Sequence, residues 1–591
     1  MNFPLIFTAL ILIVLTLILI REWLAPEIAV FSALILLVVG RVVTVEEAFS
    51  GFSNIGVLTI GMLFVVAGSL QSSGALSYLY PLIFGGGNSS FPKQLARTLF
   101  PISAVSAFVN NTPIVSMLIP AVKSWTEKHD ISASKLLIPV SYAAILGGMC
   151  TLIGTSTNLI VHGLLIENGR PGLGFFEISW IGVPAALAGL LFLVAFGHSL
   201  LPDRKEPMVE LGETTREFVI ELKVNRNYQN VGRTVEEAGL RHLKGLFLFQ
   251  IERGGRIIAP ARPEERIQVG DRLFFTGLPK TIIELQKTPG LQLIKESQFD
   301  LKQYDSDLIK PYEAVISPSS PLVGKNVRES NFRGRYGAVI LAIHRNGERI
   351  QKKIGDIVLH AGDTLLLLAE RDFIRKWYHS RDFLLISHAD EVPSKPQWRA
   401  KLSIAIFLGM ILLTVLHVLP LISAAGLAAI LVVVSGAISP GDAKQAVDWK
   451  VLLIIASALG IARAIQNSGL SDTVAGEIIA VGHIGGPLGV LVALYLLTSL
   501  YNAVITSNAT AALIFPIALS VGLAAGGDAR PFVLAITIAA AASFATPISY
   551  QTNLMVYGPG GYRFADFLKV GIPLQILVGA VAIAMIWVIY F

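Results

Sequence analysis

Four short polar stretches interrupt otherwise apolar sequence, and their residue types suit ion binding. In the first half Ala107-Phe108-Val109-Asn110-Asn111-Thr112-Pro113 is closed by Pro120, and Gly147 to Asn158 contains Gly154, Thr155, Thr157 and Asn158. In the second half Ile505-Thr506-Ser507-Asn508-Ala509-Thr510 is closed by Pro516, and Ala545 to Asn553 contains Thr546, Thr552 and Asn553. Amide and hydroxyl oxygens are hard, neutral ligands suited to a cation. A helix broken at membrane depth frees N–H groups at one half-helix start, which attract an anion, and carbonyls at the other end, which hold a cation. Such breaks are tolerated only where the backbone lines a cavity or is buried in protein. One Asn in a membrane helix commonly just bonds a neighbouring helix; four sites in two matched pairs argue for a binding centre.

Acid is missing from these stretches. Between Phe100 and Leu165 the carboxylates are Glu127 and Asp130, in an expected loop Lys123–Asp130, and none falls between Ala480 and Gly527. A proton-driven carrier places a titrating Asp, Glu or His in the membrane, so sodium coupling is favoured. His162 has Tyr557 at its matching position in the repeat and reads as a satisfied interface histidine, while Lys450 and Arg463 read as interfacial charges near helix ends. Gly85-Gly86-Gly87-Asn88-Ser89-Ser90 lacks the Lys-Ser/Thr ending of a P-loop and reads as a plain loop.

The elements that must position these residues are duplicated. Thr157-Asn158-Leu159-Ile160-Val161-His162-Gly163 returns as Thr552-Asn553-Leu554-Met555-Val556-Tyr557-Gly558, displaced by 553 − 158 = 395 positions. The same displacement carries Gln71-Ser72-Ser73-Gly74 onto Gln466-Asn467-Ser468-Gly469. Repeats with polar or Gly/Pro-interrupted apolar segments at corresponding places point to the substrate site of a secondary transporter. Composition agrees: 53% hydrophobic and 15% charged residues and a mean hydropathy of +0.64 set the chain apart from soluble domains. Charge-free runs such as Pro4–Ile20, Ile178–Phe196, Leu402–Ile438 and Gly571–Phe591 approach or exceed the ~20 residues that cross a bilayer. The first run lacks a basic start and a small-residue cleavage site, so it is expected to be a retained helix. The single Cys150 excludes an intramolecular disulfide. The net charge of +6 is read as helix-end anchoring rather than nucleic-acid binding.

Residues 1–202 and 399–591 are the two membrane repeats, and the polar middle contains its own duplication, 203–297 and 298–398. Val231-Gly232, Gly255 and Gly270-Asp271 return as Val323-Gly324, Gly347 and Gly362-Asp363 at 323 − 231 = 92 positions. Each copy alternates β-rich runs with Gly-containing turns, Arg253-Gly254-Gly255 and Arg345-Asn346-Gly347, followed by a helical stretch, Lys280–Lys287 and Asp372–His379. These predict two small α+β modules. Both resemble the TrkA-C subdomain of potassium-conductance regulators, without the Gly-x-Gly-x-x-Gly of its usual nucleotide-binding companion.

The tips Asn110-Asn111-Thr112 with Pro120 and Ser507-Asn508 with Thr510 and Pro516, together with Gly154-Thr155-Ser156-Thr157-Asn158 and Thr552-Asn553, resemble the motifs of the divalent anion/sodium symporters within the ion-transporter superfamily. The tandem TrkA-C-like inserts are similar to those of the sulfate-permease branch. The resemblance implies a polytopic α-helical membrane protein of two inverted repeats, each with a re-entrant hairpin and a broken helix, which dimerises and transports by an elevator motion. It implies sodium beside Asn111, Gly154, Thr155 and Asn158 in one half and beside Thr506, Asn508, Thr546 and Asn553 in the other. The anion would lie between the tips, against Asn110, Asn111, Thr112, Thr157, Ser507, Asn508, Thr510 and Thr552. Dicarboxylate carriers usually show Ser-Asn-Thr at both tips and Gly-Thr-Pro-Pro-Asn in the first loop, which this chain lacks. A cytoplasmic insert requires the first half to end inside, which places the uncharged Met1–Pro4 end outside.

The expected function is therefore sodium-coupled symport of a small divalent oxyanion, sulfate first and a C4-dicarboxylate second, by a multi-pass protein of the plasma (inner) membrane. It is expected to be a homodimer in lipid with cytoplasmic inserts open to a small-molecule regulator. A ligand-regulated channel or a non-transporting sensor is the alternative of another class. Two matched broken-helix sites speak against a channel, whose filter normally forms around one axis.

Overall fold

The computed structural model describes residues 3–204, 219–240, 246–294, 309–387 and 397–591, apart from 22, 76–82, 85–89, 130, 259–260, 278–287, 318–319, 346–347, 351, 353, 371, 378–379, 381 and 525–527. The expected helix Lys280–Lys287, the turn Asn346-Gly347, most of the Gly85–Ser90 loop and Asp130 lie outside these residues.

The first half comprises α1 (Phe3–Arg21), α2 (Pro26–Val39), α3 (Val45–Phe49), α4 (Ile55–Ser72), α5 (Phe91–Ser106), α6 (Asn111–Lys128), α7 (Leu137–Gly148), α8 (Ser156–Glu167) and α9 (Ser179–Leu200). The second comprises α10 (Gln397–Val415), α11 (Leu421–Val434), α12 (Pro440–Ala446), α13 (Trp449–Asn467), α14 (Leu470–Asn502), α15 (Ser507–Ala524), α16 (Arg530–Ala541), α17 (Gln551–Tyr557) and α18 (Phe564–Tyr590). The sequence displacement survives as structure: α2 and α11 match at both ends, since 421 − 26 and 434 − 39 both equal 395. Among the described residues seven helices are long and apolar enough to cross a membrane, and shorter apolar helices accompany them.

Each half breaks where the polar stretches lie. Residues 107–110 separate α5 from α6 and 149–155 separate α7 from α8; 503–506 and 542–550 do the same in the second half. Local chemistry stops the helices there. Thr155 and Tyr550, 395 positions apart, both hold extended N-cap conformations, φ −142°, ψ 149° and φ −143°, ψ 139°. Pro120 and Pro516 do not end the segments as expected, because both sit inside helices, α6 and α15. A membrane helix accommodates Pro when neighbours re-satisfy the freed carbonyl. Likewise Lys123–Lys128, expected as loop, continues α6.

Contacts between the halves come in exchanged pairs. α2 packs on α13 and α4 on α11; α6 meets α17 and α8 meets α15; α9 packs on α18. Interhelical approach is bought by small residues. A Cβ at Gly182 would stand 2.3 Å from the Met149 carbonyl oxygen and one at Gly571 2.1 Å from that of Phe544, and Met149 and Phe544 are themselves 395 positions apart.

Between the halves, two five-stranded antiparallel sheets share one strand order. The first contains β1 (Val219–Val224), β2 (Leu246–Arg253), β3 (Arg256–Ile258), β4 (Arg272–Gly277) and β5 (Leu291–Leu293), ordered β3-β2-β4-β1-β5. The second contains β6 (Ile309–Ile316), β7 (Ala338–Arg345), β8 (Glu348–Arg349), β9 (Thr364–Glu370) and β10 (Phe383–Ser387), ordered β8-β7-β9-β6-β10. Even the bulges correspond, between Leu248 and Gln250 and between Ile340 and Ala342. The repeated Gly-Asp acquires a role. Asp271 is buried and receives Arg253 at 2.8 Å and 3.0 Å, and Asp363 receives Arg345 at 2.7 Å twice. Bidentate pairs of this kind staple the hairpin to the turn before the last long strand, and the hydrogen bonds to Asp271 hold the Arg253 guanidinium above its ordinary pKa.

Candidate functional site

The four interruptions converge, and each half's tip is completed by the other half's loop. Asn111, the first residue of α6, donates from Nδ2 to the Tyr550 hydroxyl at 2.8 Å, and Thr112 donates to Gln551 Oε1 at 3.2 Å. In return, Asn508 Oδ1 at the start of α15 accepts from Ser156 at 2.9 Å and Thr157 at 3.2 Å. The Tyr550 hydroxyl also lies 3.2 Å from Thr155 Oγ1, tying the first tip to the first loop.

Within each half the loop is held by an asparagine. Asn158 donates from Nδ2 to the carbonyls of Gly148 (3.3 Å) and Thr151 (2.8 Å). Asn553 does the same to Ser543 (2.8 Å) and Thr546 (3.2 Å), the three residues each displaced by 395 from Asn158, Gly148 and Thr151. Thr546 donates to the Ala503 carbonyl at 3.0 Å, and Thr151 donates to that of Ala107. Gly154 is required by packing: a Cβ there would stand 2.5 Å from the Gly148 carbonyl oxygen and 2.9 Å from that of Ala107. Carbonyl oxygens therefore crowd around Gly154. Asn158, whose Nδ2 bonds the Gly148 carbonyl, keeps its Oδ1 buried without a hydrogen-bond partner, an unmet acceptor of the kind that costs about 1–3 kcal/mol unless something satisfies it. A cation beside Oδ1 would do so. Asn553 Oδ1 differs, because the Ser141 hydroxyl lies 2.7 Å from it and 2.8 Å from Thr552 Oγ1.

Most predicted site residues meet. Asn110 and Ser156 line a small cavity against Ile60, Leu63, Phe64 and Ala67 of α4. Ser507 lies 2.9 Å from Ser543, and the buried Thr510 hydroxyl has no partner. Thr506 is not brought in by its side chain, which is exposed, while its carbonyl accepts the Thr510 N–H at 2.9 Å. His162 stands apart, 3.1 Å from the Leu173 carbonyl. Arg463 and Lys450 face Glu167 at 3.6 Å and Glu27 at 3.3 Å.

The citrate transporter family model matches residues 15–539, the greater part of the chain. The chain belongs to this family, in the ion transporter superfamily. A Chlamydomonas reinhardtii protein described as a sulfur deprivation response regulator is 38% identical, over 97% of this chain and 99% of its own length. Sodium/sulfate cotransporter 1 of the same alga is 27% identical over 98% of this chain and 88% of its own. An uncharacterized transporter of Synechocystis is 31% identical over 96% and 94%. This member of the citrate transporter family is thus an integral, multi-pass membrane protein and a transporter rather than an enzyme.

In this transporter, residues beyond the conspicuous Asn and Thr share in these contacts. Tyr550, Gln551, Ser141 and Ser543 all make contacts described above. Ser106 lies 2.7 Å from Asn111 Oδ1 and 2.9 Å from the Ala144 carbonyl, and Asn502 donates to Ser543 at 2.7 Å. Ser106 and Asn502 precede the two tips by five residues each, counted to Asn111 and Ser507, a signal legible once the tips are aligned with Pro120 and Pro516.

Proposed function

We propose that the protein is a sodium-coupled symporter of a small divalent oxyanion, sulfate first. The observation that carries this reading is the exchanged tip-and-loop arrangement: two centres of amide, hydroxyl and carbonyl oxygens without a carboxylate among the contacts described. Neutral oxygens suit a monovalent cation and offer no proton carrier. The starts of α6, α8 and α15 converge on the same region, where free N–H groups favour an anion. Sodium is placed beside Asn111, Gly154, Thr155 and Asn158 and, in the other half, Asn508, Thr546 and Asn553, with the anion between Thr112, Thr157, Ser507, Thr510 and Thr552. The relatives named sodium/sulfate cotransporters support sodium and sulfate; the family name supports a carboxylate as the runner-up.

The exchanged helix contacts support inverted repeats and an elevator motion of the site-bearing helices against α2, α4, α11 and α13. The two sheets are assigned as cytoplasmic TrkA-C-like modules, and a homodimer is the expected assembly. A sensing role is the second reading, favoured by the relative described as a response regulator.

The test is uptake of labelled sulfate into proteoliposomes under an imposed sodium gradient. Uptake that needs sodium, ignores a pH gradient and is inhibited more by thiosulfate or selenate than by succinate or citrate is expected. Proton-driven uptake in sodium-free buffer rejects the coupling, stronger inhibition by succinate or citrate rejects sulfate, and sodium-dependent binding without uptake favours the sensor.

A further inference from the structure

We infer that the second inserted module is docked on the two helices that carry the ion site, with Lys123, Glu313, Thr364 and Gly558 as positioning residues. Comparison of the two modules is what assigns this role. In the first module Glu221 on β1 is buried and paired with Arg272 on β4, which also lies 3.1 Å from Glu252. Ninety-two positions on, Glu221 becomes Glu313, but Arg272 becomes Thr364 and Glu252 becomes His344 (313 − 221 = 364 − 272 = 344 − 252 = 92). The second module keeps the buried carboxylate and has lost its internal arginine. A buried carboxylate needs a partner, and Glu313 finds one outside its module: Lys123 of α6, at 2.6 Å, with side-chain exposures of 1% and 13%.

The lost arginine also clears a surface. Thr364 lies against Gly558, where a Cβ would stand only 1.6 Å from Thr364 Oγ1, and a Cβ at Gly362 would stand 2.5 Å from Leu554 Cδ1. An arginine at 364 has no room there. β10 packs on α6 as well. The two docking points are the far ends of the site elements. α6 begins at Asn111 and reaches Lys123 about 18 Å later at 1.5 Å per residue. α17 carries Thr552 and Asn553 and ends beside Gly558. At their near ends the same two helices meet through Asn111–Tyr550 and Thr112–Gln551. One rigid sheet thus braces both helices opposite the contacts that form the first tip. Any rearrangement of α6 against α17 must carry the module or break the Lys123–Glu313 pair, so ion binding and docking are linked, and linkage is reciprocal.

The experiment uses the full-length protein with Lys123→Met, Glu313→Gln, Thr364→Arg and the exchange Lys123→Glu/Glu313→Lys, and Glu221→Gln in the first module as control. Hydrogen–deuterium exchange over residues 111–128 and 551–557 is read in detergent without substrate, with and without sodium chloride against potassium chloride. Sodium dependence of sulfate uptake is read in proteoliposomes. The uptake arm rests on the sodium-coupled reading; the exchange arm needs no transported substrate and stands if that reading fails. Expected are faster exchange in both helices in the three single variants and a half-saturating sodium concentration raised about 5- to 10-fold, the lower range of typical coupling between sites. The charge exchange should return both toward the parent, and Glu221→Gln should move neither. Thr364→Arg gives Glu313 the internal partner that Glu221 has, so its module should stay folded while undocked. Unchanged exchange in both helices in Lys123→Met and Thr364→Arg overturns the inference. So does a loss of uptake that only tracks lost folded protein and is not recovered by the charge exchange.

Discussion

Replacing Tyr550 by Phe isolates one hydroxyl at the crossing point of the two halves. The ring stays, so packing is conserved, and what disappears is the acceptor for Asn111 Nδ2 at 2.8 Å and the contact with Thr155 Oγ1 at 3.2 Å. Net hydrogen bonds contribute about 0.5–1.5 kcal/mol each. The second contact is long, and Asn111 is 1% exposed, so its orphaned donor has little access to water. Together these place the cost at about 1.5–2 kcal/mol, roughly a 10- to 30-fold loss in an equilibrium constant. Because Asn111 and Thr155 both belong to the first proposed sodium centre, the loss should fall on the half-saturating sodium concentration in sulfate uptake. The amount of folded protein in the membrane should change little. An unaltered sodium dependence, at unchanged protein level, would refute the bridging role of Tyr550.

Gly154→Ala should abolish sodium-dependent uptake, since its Cβ would press on two backbone carbonyl oxygens and overpacking costs about 1–3 kcal/mol; Gly476→Ala, with open space around its Cβ, should be silent in the same uptake assay. Ser141→Ala uncovers Asn553 Oδ1 and should strengthen sodium binding by up to about tenfold, one net hydrogen bond's worth; weaker binding in a sodium titration counts against competition between the serine and the cation. Breaking a buried ion pair costs about 3–5 kcal/mol, so Asp271→Ala and Asp363→Ala should each destabilise a module in hydrogen exchange. Sodium-dependent anion binding should persist in both, with a lowered transport rate in Asp363→Ala, whose module contacts α6 and α17.

The sequence exposed the parts of this architecture that depend on local chemistry. Gly and Pro beside Asn, Ser and Thr cannot continue an apolar helix without a reason, so the breaks near 107–112, 147–158, 503–510 and 542–553 were readable, as were β2, β4, β7 and β9 from β-rich runs and turn residues. Three kinds of feature were not. Pro120 and Pro516 lie within helices, which no local pattern reveals. Tyr550, Gln551 and Ser141 act across hundreds of positions, and their types are equally common in ordinary helix contacts. Glu313 looks like a strand residue with a polar face, and only the comparison with Glu221 and Arg272 inside a folded sheet shows that its partner is missing from its own module.

Neither half of the chain completes the proposed site. The first tip is satisfied by Tyr550 and Gln551 from the second loop, and the second tip by Ser156 and Thr157 from the first. Either half alone would take from Asn111 Nδ2 and Asn508 Oδ1 the partners described here, at a depth where water cannot substitute. The two directions are met by different chemistry. A long loop residue, Tyr550, reaches a tip asparagine in one case, and a tip asparagine, Asn508, reaches short loop hydroxyls in the other. Thr155 and Tyr550 occupy matching positions with nearly the same backbone and differ in side-chain length, and the tips differ too, since Asn111 aligns with Ser507 when Pro120 is set on Pro516. Separately, Asn158 Oδ1 is open in one half, whereas Asn553 Oδ1 is occupied by Ser141 in the other. The two proposed centres thus differ in readiness for a cation, so ions filling them would do so in order rather than together.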